Sequence, residues 1–278
     1  MTYSIVARDA ATGELGVAVQ SRAFNTGAVV PWGAPGVGVV ATQSYTDPAY
    51  GPLGLDLLRA GKSPEQALAA LVAADDDSAY RQVAILDADG RVAVHVGEAC
   101  IPAAGFASGD GFSAQANMVE SERVWQSMAG AFERSAGPLA ERLLAALDAA
   151  EAAGGDWRGR QAGGIVVVAS EGRPWEREVD LRVDDHSDPL GELRRLLRLL
   201  GAYTAMRGPP GPTAADLEAL PELDRRWAAI LGATASGRLD EARELFRPLL
   251  AEEPRWAEFV RSLGDRELLL NAAELLDG

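Results

Sequence analysis

The sequence predicts an α+β fold of stacked sheets and helical layers, followed by a small helical domain. Three observations lead to this prediction. β-rich runs occur in groups, pairs of helical segments separate those groups, and helical spacing alone continues beyond residue 213. Strands and helix pairs in this order are able to bury each sheet against a neighbouring layer. Periodicity does not fix the number of layers.

The strands are predicted from short apolar or alternating runs bounded by turn residues. Asp9–Gly13 and Asp87–Gly90 have the composition of hairpin turns between consecutive strands. The predicted strands are Tyr3–Arg8, Leu15–Ser21, Val37–Gln43, Gln82–Leu86, Val92–Val96, Phe112–Met118, Gly164–Ser170 and Arg177–Val183.

The helices of the first domain are predicted from apolar residues at helical spacing. The second has the clearest start, because Ser63 fits an N-cap, Pro64 the first helical position and Gln66 the capping box. The predicted helices are Pro52–Ala60, Pro64–Ala74, Glu122–Arg134, Pro138–Ala153 and Pro189–Tyr203.

A segment rich in proline and glycine, Met206–Thr213, marks the predicted domain boundary. The prediction is therefore a layered domain over residues 1–204, a linker over 205–213 and a small helical domain over 214–278. About 65 residues of helical bundle are few for independent stability, so contact with the first domain or a partner subunit is expected. The helices are predicted at Ala214–Leu231, Leu239–Ala251, Arg255–Ser262 and Asp265–Leu276.

Composition excludes several classes of protein. The 278 residues include 26 Lys and Arg against 41 Asp and Glu, a formal net charge of −15. This balance argues against binding to nucleic acids or anionic membrane surfaces. The single cysteine, Cys100, excludes an intramolecular disulfide and a cysteine-based zinc site. The N-terminal residues do not resemble a secretory signal, and no apolar run is long enough to span a bilayer, so a cytoplasmic location is expected.

Thr2 is the most informative residue. Initiator methionine is usually removed before a small second residue, and its removal would give Thr2 a free α-amine. A terminal threonine carries its own base, because the amine accepts the proton of the hydroxyl that attacks the substrate. An unperturbed amine has a pKa of about 7.7–8.0, which burial or a nearby cation would lower. The alternative is that Thr2 is an ordinary strand residue.

Several separate segments, in order, are similar to one known family. They are TYSIVARD (2–9), GVAVQSR (16–22), PGVGVVATQ (35–43), YGPLGLDLLRAG (50–61), RQVAILDADGRVAVHVGEAC (81–100), GFSAQANMV (111–119), PLAERLLAALDAAEAAGGDWRGRQ (138–161) and DLRVDDHSDPL (180–190). These segments resemble the bacterial family known as domain of unknown function 1028, whose members are similar to N-terminal nucleophile (Ntn) hydrolases. The helical C-terminal segment resembles, less specifically, a small domain described as peptidoglycan-binding.

The resemblance implies a four-layer αββα sandwich with the nucleophile at the start of the first strand. It also implies hydrolysis of an amide or peptide-like C–N bond in a small molecule, with no metal or organic cofactor. We expect a homodimer or a higher homo-oligomer, in which the C-terminal segment provides an oligomer contact or a lid. The alternative is a catalytically inactive binding or assembly module with the same fold.

The predicted catalytic residues are Thr2, whose role the resemblance implies, together with Arg22 and Asn117. Thr2 would attack, Arg22 would depress the pKa of the α-amine, and Asn117 would donate to the oxyanion. Position 20 holds glutamine where related hydrolases have an aspartate, and Lys62 lies outside the position of their catalytic lysine. Arg22 has the alternative role of a structural ion pair at the hairpin end.

Substrate-binding residues are predicted at strand ends, in the following loops and, for His95, inside an apolar strand. Gln43 is also a candidate oxyanion donor, although it and Asn117 have the alternative of being buried, hydrogen-bonded side chains. The aromatic residues have the alternative of core packing, as does the histidine. The predicted set is Ser21, Trp32, Gln43, Tyr45 and His95. No metal site is predicted, because the cluster Asp184–Asp188 around His186 fits no specific metal spacing.

Overall fold

The computed structural model describes residues 2–207, 211–269 and 271–276. Met1 and residues 208–210 of the predicted linker lie outside this part of the chain. The described residues form ten strands. They are β1 (Thr2–Arg8), β2 (Leu15–Ser21), β3 (Pro31–Ala34), β4 (Gly38–Ser44), β5 (Arg81–Asp87), β6 (Val92–Val96), β7 (Gly105–Gly109), β8 (Phe112–Asn117), β9 (Ala162–Val168) and β10 (Val179–Val183).

Eleven α-helices occur in the described residues, and those after residue 213 form a wholly helical segment. This confirms the prediction of an α+β fold with a helical C-terminal part. The helices are α1 (Thr26–Val29), α2 (Tyr50–Arg59), α3 (Pro64–Ala74), α4 (Arg123–Arg134), α5 (Leu139–Ala152), α6 (Pro189–Ala205), α7 (Ala214–Ala219), α8 (Glu222–Ala235), α9 (Leu239–Glu252), α10 (Trp256–Asp265) and α11 (Ala272–Leu276).

The strands form two antiparallel sheets. One has six strands in the order β10-β9-β2-β1-β8-β7, and the other has four in the order β3-β4-β5-β6. Strand β1 is central, because it pairs with β2 on one side and with β8 on the other. Both predicted hairpins are present as antiparallel pairs, β1 with β2 and β5 with β6. The chain therefore begins its first strand in the middle of the larger sheet.

The two sheets share an apolar core. Alternate residues of β1 and β2, such as Val6 and Val17, cluster with alternate residues of β4 and β5, such as Val39 and Leu86. Side chains on a strand alternate between faces, so the intervening residues point away from this core. On those outer faces, α5 contacts β1 and β2, and α2 and α3 contact the smaller sheet. Helices therefore contact strands of both sheets.

The chain divides into two compact units, Met1–Leu197 and Arg198–Gly278. The division falls within α6, before the predicted linker, and the predicted domain limits stay a prediction. The second unit has its own apolar cluster, which includes Phe246, Leu249 and Val260. Beside that cluster the ring of Trp227 lies 5.1 Å from that of Trp256 and 5.7 Å from that of Phe259, centre to centre.

Helix α2 packs against Trp32 so closely that Gly51 has no room for a side chain. A Cβ at position 51 would lie 2.2 Å from Cγ of Trp32, whose indole N–H donates to the carbonyl of Val29 at 3.0 Å. At position 54 of the same helix, a Cβ would lie 3.4 Å from Ile85 and Val40, an ordinary contact.

We therefore expect Gly51→Ala to lower the free energy of unfolding by about 1–3 kcal/mol through overpacking. Gly54→Ala is the matched control and should be neutral or stabilising by up to about 1 kcal/mol, since alanine favours helices more than glycine. Urea denaturation of both variants is the measurement. Equal stability of the two variants would contradict the expected clash.

Candidate active site

Thr2 lies at the buried, polar end of the space between the two sheets. Its register partners are Ser21 at the end of β2 and Asn117 at the end of β8. The Thr2 hydroxyl oxygen is 3.0 Å from the hydroxyl oxygen of Ser21, and Thr2 is 9% exposed. Thr2 shares its strand face with Val6, which belongs to the inter-sheet core. The predicted nucleophile therefore points into the interior beside two other predicted residues.

The amide side chains of Gln43 and Asn117 meet next to the backbone carbonyl of Thr2. Gln43 donates from Nε2 to Oε1 of Gln82 at 2.7 Å, and Asn117 donates from Nδ2 to the same oxygen at 3.0 Å. The Thr2 carbonyl oxygen lies 3.4 Å from Gln43 Nε2 and 3.5 Å from Asn117 Nδ2. All three amide side chains are buried. Two predicted donors thus lie together against the backbone of Thr2.

Gln82 fixes the orientation of these two amides, and the sequence analysis missed it. Its Nε2 donates to the carbonyl of Ala116 at 2.9 Å and to that of Gly105 at 3.2 Å, so its amide joins β5 to both β7 and β8. The available signal was polarity, because Gln82 shares its face of β5 with the apolar residues Ala84 and Leu86. Gln82, Gln43 and Asn117 are called the amide cluster below.

More polar groups continue this interior along β1 and β8. Gln115 donates from Nε2 to the Ser4 hydroxyl at 2.6 Å. Among the described residues, no hydrogen-bond partner is found for Ser113 Oγ, Gln115 Oε1 or Gln43 Oε1. Buried polar atoms without a partner are uncommon and costly in a structural core. Polar groups thus extend from Thr2 along β1 and β8 as far as Ser113, which pairs with Val6.

On the opposite face of β1, Tyr3 attaches the strand to α5. The Tyr3 hydroxyl donates to the carboxylate of Glu151, which also receives Arg160 Nε at 2.5 Å. Burial, together with Glu151, raises the pKa of the Tyr3 phenol well above its usual range, so it stays neutral. Gln20 is the register partner of Tyr3 and shares this face. The glutamine at position 20 therefore lies outside the surroundings of the Thr2 hydroxyl.

Three other predicted site residues, Arg22, Trp32 and His95, make their contacts away from the amide cluster. Arg22 donates from Nη1 to Oε1 of Gln161 at 2.5 Å, and its backbone N–H donates to Asp156 at 2.8 Å. Trp32 packs on the helix-covered face of the smaller sheet. His95 pairs with Val83 on that same face, and its Nε2 lies 2.8 Å from the carbonyl oxygen of Ser78. The structure brings Trp32 and His95 to the face opposite the amide cluster.

A cleft opens beside Asn117. It has a volume of about 240 Å³ and is lined by Ser44, Tyr45, Tyr80, Ala99, Ile101, Asn117 and Met118. Asn117 therefore belongs both to the amide cluster and to the cleft. Tyr45, a predicted substrate-binding residue, forms part of the rim and is 69% exposed.

The rim is supported by a partly buried ion pair. Arg81 donates from Nε to Asp75 at 2.7 Å and from Nη1 to the carbonyl of Tyr45 at 2.6 Å. The Tyr50 hydroxyl donates to the same carboxylate at 3.0 Å. Hydrogen bonding from Arg81 lowers the pKa of Asp75 to about 2.

Asp75 should make stability depend on pH in acid. A carboxyl with a depressed pKa stabilises the fold above its unfolded pKa of about 3.9, and this contribution is lost as the pH falls toward 2. We expect Asp75→Asn to remove about 1–2 kcal/mol of stability at pH 7 and to flatten the decline between pH 4 and 2. Urea denaturation across this range is the measurement, with exposed Asp76→Asn as control. An unchanged pH profile in Asp75→Asn would contradict this prediction.

Within the described ranges, no group of three or more His, Cys, Asp or Glu side chains could hold a metal ion. Nor does any helix there combine the length and apolar character that crossing a membrane requires.

Comparison with known proteins identifies the family. Residues 2–193 match the model of DUF1028, a family of unknown function. This chain belongs to the DUF1028 family. Protein SPO2555 from Silicibacter pomeroyi, a DUF1028 protein of known crystal structure, is 31% identical, with a TM-score of 0.66 over 75% of this chain and 90% of its own. The match to DUF1028 includes every strand of the two sheets.

More distant structures were also found for this DUF1028 protein. Anbu (ancestral beta-subunit) from Yersinia bercovieri is 12% identical, with a TM-score of 0.33 over 76% of this chain and 99% of its own. An Anbu (Gly-1) mutant from Hyphomicrobium sp. strain MC1 is 12% identical, with a TM-score of 0.35 over 73% of this chain and 97% of its own. No curated protein matches the sequence.

Proposed function

We propose that this DUF1028 protein is an amidohydrolase that uses Thr2 as an N-terminal nucleophile after removal of Met1. The observation that carries the proposal is the position of the Thr2 hydroxyl. It lies at the start of the central strand, 3.0 Å from the Ser21 hydroxyl, with the amide cluster below and the cleft beside Asn117. Met1 itself lies outside the described residues, so its removal is part of the proposal.

The proposed reaction is acyl transfer to the Thr2 hydroxyl. The α-amine takes the hydroxyl proton as the oxygen attacks the carbonyl carbon of a small-molecule amide. The resulting oxyanion accepts hydrogen bonds from N–H groups of Asn117 and Gln43, which exchange for it their long contacts with the Thr2 carbonyl oxygen (3.5 and 3.4 Å). Gln82 Oε1 meanwhile holds both amides in place. The tetrahedral intermediate then expels the leaving amine, which receives the proton from the α-amine. Water hydrolyses the remaining ester and regenerates Thr2.

We further propose that the first unit is a four-layer αββα sandwich of the Ntn type. The apolar core shared by the two sheets and the helices against both outer faces support this layering. The similarity of eight sequence segments to a family related to Ntn hydrolases supports it independently. In such an arrangement, the start of the first strand is where the nucleophile is expected.

The function is tested with protein produced without any residues added ahead of Met1. Intact mass should show the loss of one methionine, and a β-lactone should add once, on Thr2, as located by peptide mapping. Retention of Met1 in protein from its native cell would contradict the proposal, because the base would then be a peptide nitrogen. Labelling at another residue would also contradict it.

One observation favours the second candidate, a binding or assembly module without catalysis. The side chains that hydrogen-bond to Thr2 in the described part of the chain, those of Ser21, Gln43 and Asn117, are uncharged. Arg22, the proposed source of positive charge, donates instead to Gln161. Protein that has lost Met1 and still fails to react with β-lactones would support this second candidate.

A further inference from the structure

The cleft beside Asn117 has a composition that selects one class of ligand. We propose that it binds an uncharged aromatic or branched aliphatic acyl group, with the carbonyl end at Asn117 and the apolar end between Tyr45 and Tyr80. The identification of the ligand as an acyl group rests on the proposed function, in which the bound group is the carbonyl side of the amide that Thr2 attacks. Binding in the cleft does not depend on catalysis.

The rim of the cleft exposes three large apolar side chains close together. Tyr45 is 69% exposed, Ile101 53% and Tyr80 50%. The two tyrosine rings meet edge to face, with centres 6.4 Å apart. Large apolar side chains gathered around one opening mark binding surfaces more often than scattered ones do. A flat or branched apolar group would cover them and displace water.

The lining favours an uncharged ligand. Among the described residues that line the cleft, none is charged. The guanidinium of Arg81 lies 5.3 Å from the centre of the Tyr45 ring, but Asp75 and the carbonyl of Tyr45 already accept from it. A carboxylate or ammonium entering the cleft would lose its hydration without gaining a free partner charge, which is costly.

Size restricts the ligand further. The cleft volume of about 240 Å³ is below the 300–1,000 Å³ that is usual for drug-sized ligands. The cleft therefore has room for one phenyl-sized or branched aliphatic group with its carbonyl end, and the remainder of a larger substrate would extend outside.

The polar end of the cleft is fixed by the strands that carry the amide cluster. Gln43 is followed by Ser44 with φ 74°, and Asn117 is followed by Met118 with φ 56°. Left-handed backbone is unfavourable for such residues and is retained where the surrounding structure requires it. At both positions the chain leaves the sheet and enters the lining of the cleft. The geometry thus joins the apolar lining directly to the amides beside Thr2.

Binding is tested on Thr2→Ala protein, which separates it from turnover. The probes are 3-phenylpropanamide, 4-methylpentanamide and the charged amide succinamate, each titrated by NMR. We expect both apolar amides to bind at least about tenfold more tightly than succinamate. Tyr45→Ala and Tyr80→Ala, each added to Thr2→Ala, should weaken binding of 3-phenylpropanamide about tenfold. Trp175→Ala, a change at an exposed tryptophan outside the cleft, should leave it unchanged.

The outcomes separate this inference from the proposed function. Equal binding of succinamate, or binding that neither tyrosine variant weakens, would overturn the assignment of the cleft. Absence of binding by both apolar amides would overturn it too, even if β-lactones label Thr2 in the parent protein. Selective binding in a protein that never reacts with a β-lactone would support the cleft and count against the amidohydrolase.

Discussion

A Thr2→Ala variant should react with a β-lactone at least about a thousandfold more slowly than the parent protein. Removal of a nucleophile leaves only the contributions of binding and oxyanion stabilisation, and effects of this size are usual. Alanine is small enough for Met1 to be removed, so the α-amine is retained and only the hydroxyl is lost. Thr2→Ser keeps both groups and should stay within about tenfold of the parent rate. The measurement is the rate of covalent labelling, followed by intact mass.

Two controls make this result specific. Thr12→Ala changes an exposed threonine in the turn between β1 and β2, and it should leave the labelling rate unchanged. Urea denaturation should show that Thr2→Ala is folded, because the change removes the 3.0 Å contact with the Ser21 hydroxyl and keeps the backbone pairing of β1 with β2 and β8. Labelling of a folded Thr2→Ala protein at the parent rate would remove Thr2 from the mechanism.

Gln82→Leu should lower the free energy of unfolding by about 3–5 kcal/mol. The leucine would leave two carbonyl oxygens, of Gly105 and Ala116, without their donor. It would also remove the nearest acceptor of Gln43 Nε2 and Asn117 Nδ2, leaving them the longer contacts of 3.4 and 3.5 Å to the Thr2 carbonyl oxygen. Each buried group left without a partner costs about 1–3 kcal/mol, and partial relaxation keeps the total below the sum. Urea denaturation measures the change.

The matched control is Gln126→Leu on the exposed face of α4, which should change stability by less than about 0.5 kcal/mol. Gln82→Glu preserves the acceptor oxygen for Gln43 and Asn117 but loses the donor to the two carbonyls, so an intermediate loss is expected. Labelling of Thr2 should slow in both Gln82 variants, because the oxyanion donors lose their fixed orientation. A Gln82→Leu protein as stable as Gln126→Leu would contradict the bridging role.

Elements with strong local signals were predictable from the sequence. Helix α3 has the predicted bounds, Pro64–Ala74, and Ser63 forms the expected capping box with Gln66. The turn ending in Gly90 joins β5 to β6, and Gly90 has the positive φ that favours glycine. Such features depend on a few neighbouring residues, so the sequence alone is sufficient to specify them.

Two short strands were missed because their formation depends on partners distant in sequence. Strand β3 begins with a proline and contains a glycine, and β7 has glycine at both ends. Neither composition favours a strand. Pairing with β4 and with β8, respectively, supplies the hydrogen bonds that local preference does not. Both strands therefore form because of tertiary pairing and not because of local sequence preference.

The candidate site was predictable in part for a similar reason. Thr2, Ser21, Gln43 and Asn117 stand at strand ends in the sequence, and antiparallel pairing brings those ends together. Trp32 and His95 lie on the other face of the smaller sheet because alternate residues of a strand point to opposite faces. The hydrophobic pattern alone did not show which face each residue takes. Gln82 was missed because its role arises from contacts with the opposite sheet.

The central position of β1 has a practical consequence for producing this protein. Any affinity tag fused ahead of Thr2 would convert its amine into an amide and would have to leave the sheet between the ends of β2 and β8, at Ser21 and Asn117. Preparations purified in that way would be inert under the proposed mechanism, whatever the substrate offered. Purification handles therefore belong at the other terminus, and screening results obtained with amino-terminal fusions should be repeated without them.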